Sequence, residues 1–419
     1  MVLDRKIPPS FEKQFSFNLP PPEILALSNQ LNLVWIKGAQ DIIKLDFIYR
    51  AGKWLEPKAG VAYFTAQMLE KGSERYTAQQ IAEILDYHGA QLEISAGSDF
   101  ISVAVYTLSK NIPKILPVIL DIIQQPNFPQ EELSLLVDIF KQNLKVNSEK
   151  NSFLASKYFH KNIFGSTHPY GRSVEEADVN TITPEDLSLF FEKFFSPHEV
   201  YLTGNLSSNE FDLITSSLSK LKKKNTPVVT NANSTSGLQI EKIEKTESVQ
   251  ASIRMGRKLF TRSHSDYPAF LLLNHLLGGF FGSRLMKNIR EEKGLTYGIY
   301  SSLTPHLQDG LFVIGTDVNN EKASLTIEEI LKELKSLQKT LVPLSELELS
   351  KNHLLGSLQL EISNPFSITE KIKTTRLHQL SSDHYTNLFK IISSAQPAEL
   401  QQLAKNYWQE SDLFICQVG

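Results

Sequence analysis

Arg290 and Tyr297 stand seven positions apart in the stretch from Gly278 to Gly298, the most distinctive run of the sequence. An arginine offers several donors in a fixed fork and suits a carbonyl or carboxylate. A tyrosine hydroxyl, if preplaced, can donate to negative charge that develops on a reacting oxygen. Each residue also has a plainer use. Arg290 can be a solvated helix residue beside Glu291 and Glu292, and Tyr297 an ordinary strand aromatic. Taken singly, each residue is better explained by its plain use. Gly278, Gly279 and Gly282 suit a permissive turn ahead of a helix. Their spacing matches neither a phosphate loop nor a dinucleotide fingerprint.

Metal chemistry finds little support elsewhere in the chain. Cys416 is the only cysteine, which rules out an intrachain disulfide and a thiolate zinc cluster. The ten histidines are scattered, and no pair has i, i+4 helical spacing. A second segment, Gly60-Val61-Ala62-Tyr63-Phe64-Thr65-Ala66-Gln67-Met68-Leu69-Glu70-Lys71-Gly72, has a frame of small and apolar residues closing on Lys-Gly. This frame resembles that of the inverzincin peptidases, the family of insulinase, pitrilysin and mitochondrial processing peptidase. They carry His-x-x-Glu-His there: two histidines on one helical face bind zinc, and the glutamate acts as general base. The matching positions in this chain are Tyr63, Ala66 and Gln67. A phenol that titrates near ~10 is a poor ligand at neutral pH. Alanine has no donor, and glutamine is a weak neutral one. The family's further glutamate is matched near Lys141-Gln142-Asn143-Leu144-Lys145, with Asn143 or Gln142 in its place. The resemblance therefore implies no metal in this chain.

The stretch from Gly278 to Gly298 is similar to the second domain of the same family. There an arginine at a helix end and a tyrosine seven residues later reach across to the zinc-bearing domain. Arg290 and Tyr297 match that pair. The resemblance implies a non-catalytic subunit, with zinc and base supplied by a homologous partner subunit and peptide as substrate. Arg290 and Tyr297 would then act in trans. The rival it leaves open is a structural or peptide-binding pseudo-peptidase with no proteolytic role. In active subunits an edge strand with an Asn-Ala step pairs with extended substrate. Here Glu93-Ile94 stands in that place.

The elements that must position these residues repeat along the chain. Pro-x-x-Glu-Leu occurs at Pro129 to Leu133 and again at Pro343 to Leu347. Ile81 to Leu85 leads through His88-Gly89 into Gln91 to Ile94, and Met286 to Arg290 leads through Lys293-Gly294 into Leu295 to Ile299. Each reads as helix, glycine stop, then strand. The same order in both halves predicts a duplicated domain. Ile43, Leu45, Phe47 and Tyr49 alternate, as do Ile101, Val103 and Val105, and Val249, Ala251, Ile253 and Met255. They predict strands with one buried face. Thr77 to Gln80 predicts a capping box, and Thr183 a cap followed by Pro184. The aromatic face Phe190, Phe191, Phe194 and Phe195 reads as core. The expected fold is α+β: two homologous domains, 1–219 and 238–419, each a mostly antiparallel sheet covered by helices. A linker at 220–237 carries Lys222, Lys223 and Lys224.

With 419 residues the chain is too long for one core. A net charge of -3 argues against a nucleic-acid partner that relies on a broad basic surface. Apolar runs such as Ile115 to Ile123, broken by Pro117, are too short to span a membrane. Met1 to Leu25 is proline-rich and has no continuous apolar segment of the signal-peptide kind, so a cytoplasmic protein is expected.

Overall fold

In the computed structural model, which describes residues 19–224, 237, 239–246 and 248–419, the chain builds two sheets in succession. The first contains β1 (Glu23–Ala26), β2 (Asn32–Ile36), β3 (Ile42–Tyr49), β4 (Gln91–Ala96), β5 (Ile101–Leu108) and β6 (Pro197–Thr203), in the order β1-β2-β6-β3-β5-β4. The second contains β7 (Ile240–Ile243), β8 (Gln250–Leu259), β9 (Thr296–Pro305), β10 (Gly310–Asn319) and β11 (Phe414–Val418), in the order β7-β11-β8-β10-β9. Apart from β1 the two orders are the same when read in chain order. In each, the first strand pairs parallel with the last, and every other neighbour is antiparallel. The architecture is the two-domain α+β fold that the repeated motifs predict. Most of the predicted linker, residues 225–236, lies outside the described residues, as do residues 1–18 of the N-terminal segment.

Helices follow the strands in the same rhythm. The first half has α1 (Val61–Met68), α2 (Ala78–Tyr87), α3 (Ile112–Gln124), α4 (Gln130–Ser148), α5 (Asn151–Phe164), α6 (Glu176–Val179), α7 (Pro184–Phe194) and α8 (Ser208–Leu218). The second has α9 (Tyr267–Asn274), α10 (Ala323–Lys339), α11 (Leu344–Leu360), α12 (Pro365–Leu377), α13 (His384–Ser394) and α14 (Pro397–Tyr407). Wide π turns at His275–Gly279 and Met286–Glu292 complete the second set. No helix among the described residues is long and apolar enough to cross a membrane.

The local signals act as their chemistry requires. Thr77 and Gln80 close a capping box on α2, and Thr183 does the same for α7 with Pro184 in the first turn. Pro129 and Pro343 sit in extended conformation one residue ahead of α4 and α11, where a missing N–H costs nothing. The leucines that end the two motifs, Leu133 and Leu347, are both buried in their cores. Gly89 and Gly294 terminate corresponding helical segments with φ of 59° and 61°, a conformation that favours glycine.

The structure differs from the strand pattern in one respect. β3 and β8 are buried along most of their length, on both faces. The cause is an exchange of helices. α5, from the first half, lies on the sheet of the second, against β8 and β11. α12, from the second half, lies on the sheet of the first, against β2 and β6. Phe159, Phe164, Leu311, Cys416 and Val418 form one of these seams. Val34, Ile36, Ile48, Tyr201, Ile372 and Leu377 form the other. Val249, counted with the strand in the sequence, lies just before β8 and is exposed.

The second seam also carries buried charge. Lys44 Nζ meets Glu370 at 2.8 Å, and Lys373 Nζ meets Asp46 at 2.8 Å. Arg376 donates from Nε to Glu199 at 2.9 Å and grips it with a second nitrogen, while Tyr201 donates to the same carboxylate. Such bonds join residues far apart in the chain, so the two halves are interlocked rather than strung on a linker.

Candidate functional site

The segment that holds Arg290 is fixed from below. Arg284 binds Glu346, the glutamate of the second Pro-x-x-Glu-Leu motif, through Nε at 2.7 Å and Nη2 at 3.0 Å. Asn288 donates to Glu333 at 2.7 Å, and Lys293 pairs with Glu329 at 3.4 Å. Gly278 has to be a glycine for a local reason. A Cβ there would come within 2.6 Å of the Ser301 backbone nitrogen on β9. The glycine thus lets the turn before Arg290 close onto the strand that carries Tyr297.

Tyr297 stands at the start of β9, an edge strand paired only with β10. Its ladder is irregular here. Thr316 faces Ile299 and Val318 faces Thr296, so Tyr297 and Gly298 together oppose Asp317 alone. This is a β-bulge, a device that re-aims side chains. Thr296 Oγ1 donates to the Asp317 carbonyl at 2.7 Å, and Thr316 Oγ1 donates to the Gly298 carbonyl at 3.0 Å, which secures the bulge. Tyr297 is 95% exposed. The Arg290 guanidinium lies over the Phe281 ring, 5.0 Å from its centroid, and no carboxylate pairs with it among the described residues. Both residues line one shallow depression of about 490 Å3, together with Gln250, Gly294, Asp317 and Asn319. The structure thus brings Arg290 and Tyr297 into one surface, with donors that this chain leaves unused.

The first half looks different at the corresponding place. Gly60 caps the start of α1, and the Glu56 carboxylate accepts from the Gly60 and Ala62 backbone N–H groups at 3.1 Å each. Arg172 holds that carboxylate at 2.5 Å. Tyr63 packs its ring against Phe64, at 5.3 Å, and against Phe140 of α4, at 5.5 Å. Burial pushes its phenol up, further from any metal-binding form. Ala66 is fully buried. Gln67 donates from Nε2 to the Ile94 carbonyl on β4, at 3.2 Å. Asn143 is exposed on α4, one turn beyond Phe140. These donors do not fit a zinc ion: two are absent or engaged, and an aromatic cluster fills the space between the helices. Among the described residues no group of three or more His, Cys, Asp or Glu side chains could hold a metal.

Sequence spacing did not reveal one further juxtaposition. His275, at the end of α9, and His353, on α11, approach to 3.0 Å between Nε2 and Nδ1. Both rings lie on Phe280, at 4.8 and 4.6 Å. Burial, then the neighbouring His353, pushes His275 down to about 4, so the His275 ring is neutral at pH 7. The two residues are 78 apart in the chain, and no local pattern joins them.

Comparison with known proteins places these features. Residues 45–178 match the family model described as Insulinase (Peptidase family M16), and residues 181–354 match that described as Peptidase M16 inactive domain. A Bacillus subtilis protein named Uncharacterized zinc protease YmxG is 24% identical over 357 residues, spanning 82% of this chain and 84% of its own. A Helicobacter pylori protein named Non-peptidase homolog YmxG is 24% identical over 364 residues, spanning 83% of this chain and 82% of its own. The solved structure of a peptidase M16 inactive domain from Pseudomonas fluorescens superposes with a TM-score of 0.87 at 23% identity. It covers 95% of this chain and 98% of that one. A protease structure from Helicobacter pylori gives 0.86 at 19% identity, covering 96% and 100%.

Proposed function

Because the chain belongs to the insulinase (M16) peptidase family, and its first domain lacks the zinc motif, we propose that it is the non-catalytic subunit of a two-subunit peptidase. In this reading a homologous partner supplies zinc and general base. This chain supplies Arg290 to hold a substrate carbonyl or carboxylate and Tyr297 to donate to the oxyanion of the tetrahedral intermediate. The observation that carries the reading is Tyr297, an aromatic held by a bulge at a sheet edge and left 95% exposed. A strand tyrosine used for packing is covered by its own chain, and this one is presented outward beside a guanidinium with no carboxylate partner among the described residues.

The test is reconstitution with the partner that co-purifies from the native host. Tyr297→Phe removes one hydroxyl and should lower cleavage by about 10²–10³-fold with assembly unchanged, the usual loss for one oxyanion donor. Arg290→Ala should act chiefly on KM. Full cleavage by both variants would sink the proposal. Cleavage by this chain alone would show that the first domain retains chemistry its residues do not suggest.

A second reading has one observation in its favour. The Helicobacter pylori relative of 24% identity bears the name of a non-peptidase homolog. A pseudo-peptidase that only binds peptide or scaffolds a complex would keep the fold and tolerate Tyr297→Phe. A complex inactive in every peptide assay, yet still retaining peptide, would decide for it.

A further inference from the structure

Between the two halves lies a cavity of about 380 Å3 with walls from both: Arg50, Trp54 and Asp99 on one side, and Ser263, Leu307 and His378 on the other. It shares no residue with the Arg290 and Tyr297 depression. The one carboxylate in its wall, Asp99, is already engaged. It accepts from the Tyr170 hydroxyl at 2.6 Å and from the Leu307 backbone N–H at 3.2 Å.

Donors are left over. Nε of Arg50 and the indole N–H of Trp54 are closed off from solvent, and neither has an acceptor in hydrogen-bonding geometry. The Trp54 N–H comes near the Asp99 and Tyr170 pair without completing a bond. Next to Ser263, Arg262 donates from Nη1 to the Tyr267 hydroxyl at 3.0 Å, but its Nε is also buried without an acceptor. Two imidazoles nearby are shifted. Burial, then Arg50, pushes His198 down to about 4. Burial, then Arg262, does the same to His378.

A buried donor without an acceptor is expensive, and a wall holding two, Arg50 Nε and the Trp54 N–H, with no free carboxylate calls for a ligand made of acceptors. Water would bring donors as well as acceptors and would leave the guanidinium charge uncompensated. The volume sits at the small end of ligand sites. We infer that this cavity is a binding site for a compact oxyanion, a carboxylate or a phosphate, held by Arg50 and the Trp54 N–H and touching both halves of the fold. Arginine suits either group because its fork matches two oxygens at once. Since the walls come from both halves, occupancy ties the halves together.

Calorimetric titration of the full chain with inorganic phosphate, and separately with succinate, at fixed ionic strength tests the site. Saturable binding of one anion per chain is expected for at least one of the two, with Tm raised at saturation. The tighter of the two assigns the ligand class. Arg50→Gln should weaken it by about tenfold or more, the usual loss of a hydrogen bond to a charged group. Trp54→Phe keeps an aromatic ring and deletes only the N–H, so it carries the test should Arg50→Gln fail to fold. Absence of saturable binding for both anions, or binding that both variants leave unchanged, would overturn the inference.

Discussion

The two halves of this molecule are built on one plan and put corresponding regions to opposite uses. In the first half, the helix that carries a zinc motif in the family is closed in. Tyr63 is wedged against Phe64 and Phe140, Ala66 has no exposure, and Gln67 is bonded to the edge strand. In the second half, the matching helix, glycine and strand hold Tyr297 out in solvent beside a half-buried Arg290 that lies over Phe281, with no carboxylate paired to it among the described residues. In the first half, packing occupies the residues at the family's zinc-motif positions. Where side chains stay unpacked at the cost of a bulge and a wide turn, stability alone does not account for them.

The sharpest way to break this comparison is to ask what each region contributes to stability. Phe64 is fully buried behind Tyr63, so Phe64→Ala should cost about 3–5 kcal/mol. Tyr297→Ala removes a side chain that touches little and should change stability by no more than about 0.5 kcal/mol. Urea unfolding of the two variants gives both numbers under one condition. A loss above about 1 kcal/mol for Tyr297→Ala would show that the tyrosine is structural after all, and the contrast between the halves would collapse.

The exchanged helices sharpen the comparison at the next level. α5 is seated on the second sheet largely by aromatic and aliphatic side chains, whereas α12 is held on the first sheet by ion pairs as well. Glu199→Gln leaves Arg376 without its counter-ion. Breaking a fully buried pair costs about 3–5 kcal/mol, but the Arg376 side chain keeps 28% of its surface in water, so about 2–3 is expected. Acid should act on the same seam. Burial alone would raise the Glu199 carboxyl, yet Arg376 and Tyr201 outweigh it and hold the group below its ordinary value. Glu370 is likewise held down, by Lys373 and Lys44 against burial. A depressed carboxyl stabilises above its unfolded pKa, roughly 4.3, and that contribution fades as pH falls through the lower folded value. Wild type should therefore lose stability on acidification below about pH 4 more steeply than Glu199→Gln. Parallel acid profiles would remove Glu199 from the seam's balance.

Much of this was legible before any coordinates. The paired Pro-x-x-Glu-Leu motifs, the helix-glycine-strand order and the Thr77 and Thr183 caps are local signals, and each acts through backbone chemistry within a few residues. They were enough for a duplicated α+β fold, whereas Arg290 and Tyr297 stood out only through the resemblance of the Gly278 to Gly298 frame to a known family. The exchange of α5 and α12 was not legible, because alternation within β3 reports which residues are apolar and not which helix covers them. Lys44 and Asp46 belong to a seam whose other side lies more than 300 residues away. The bulge at Tyr297 depends on Thr296 and Thr316 meeting across two strands, which neither segment announces alone. The His275 and His353 pair was missed for the same reason.

The smallest expected effect tests the idea that Gln67 has been recruited to structure. Its amide reaches the Ile94 carbonyl on the open edge of the first sheet. Gln67→Leu keeps the bulk and deletes that donor. Because the edge carbonyl can turn to water, the cost should be only about 0.5–1.5 kcal/mol. The consequence should be local. Amide hydrogen exchange should quicken in the helix and strand that this bond joins, residues 61–68 and 91–96, and stay unchanged at 296–305, the edge strand of the other sheet. Equal exchange in wild type and variant would mean that the edge is held by its pairing to β5 alone. Gln67 would then be a remnant of a lost site rather than a part with a new task.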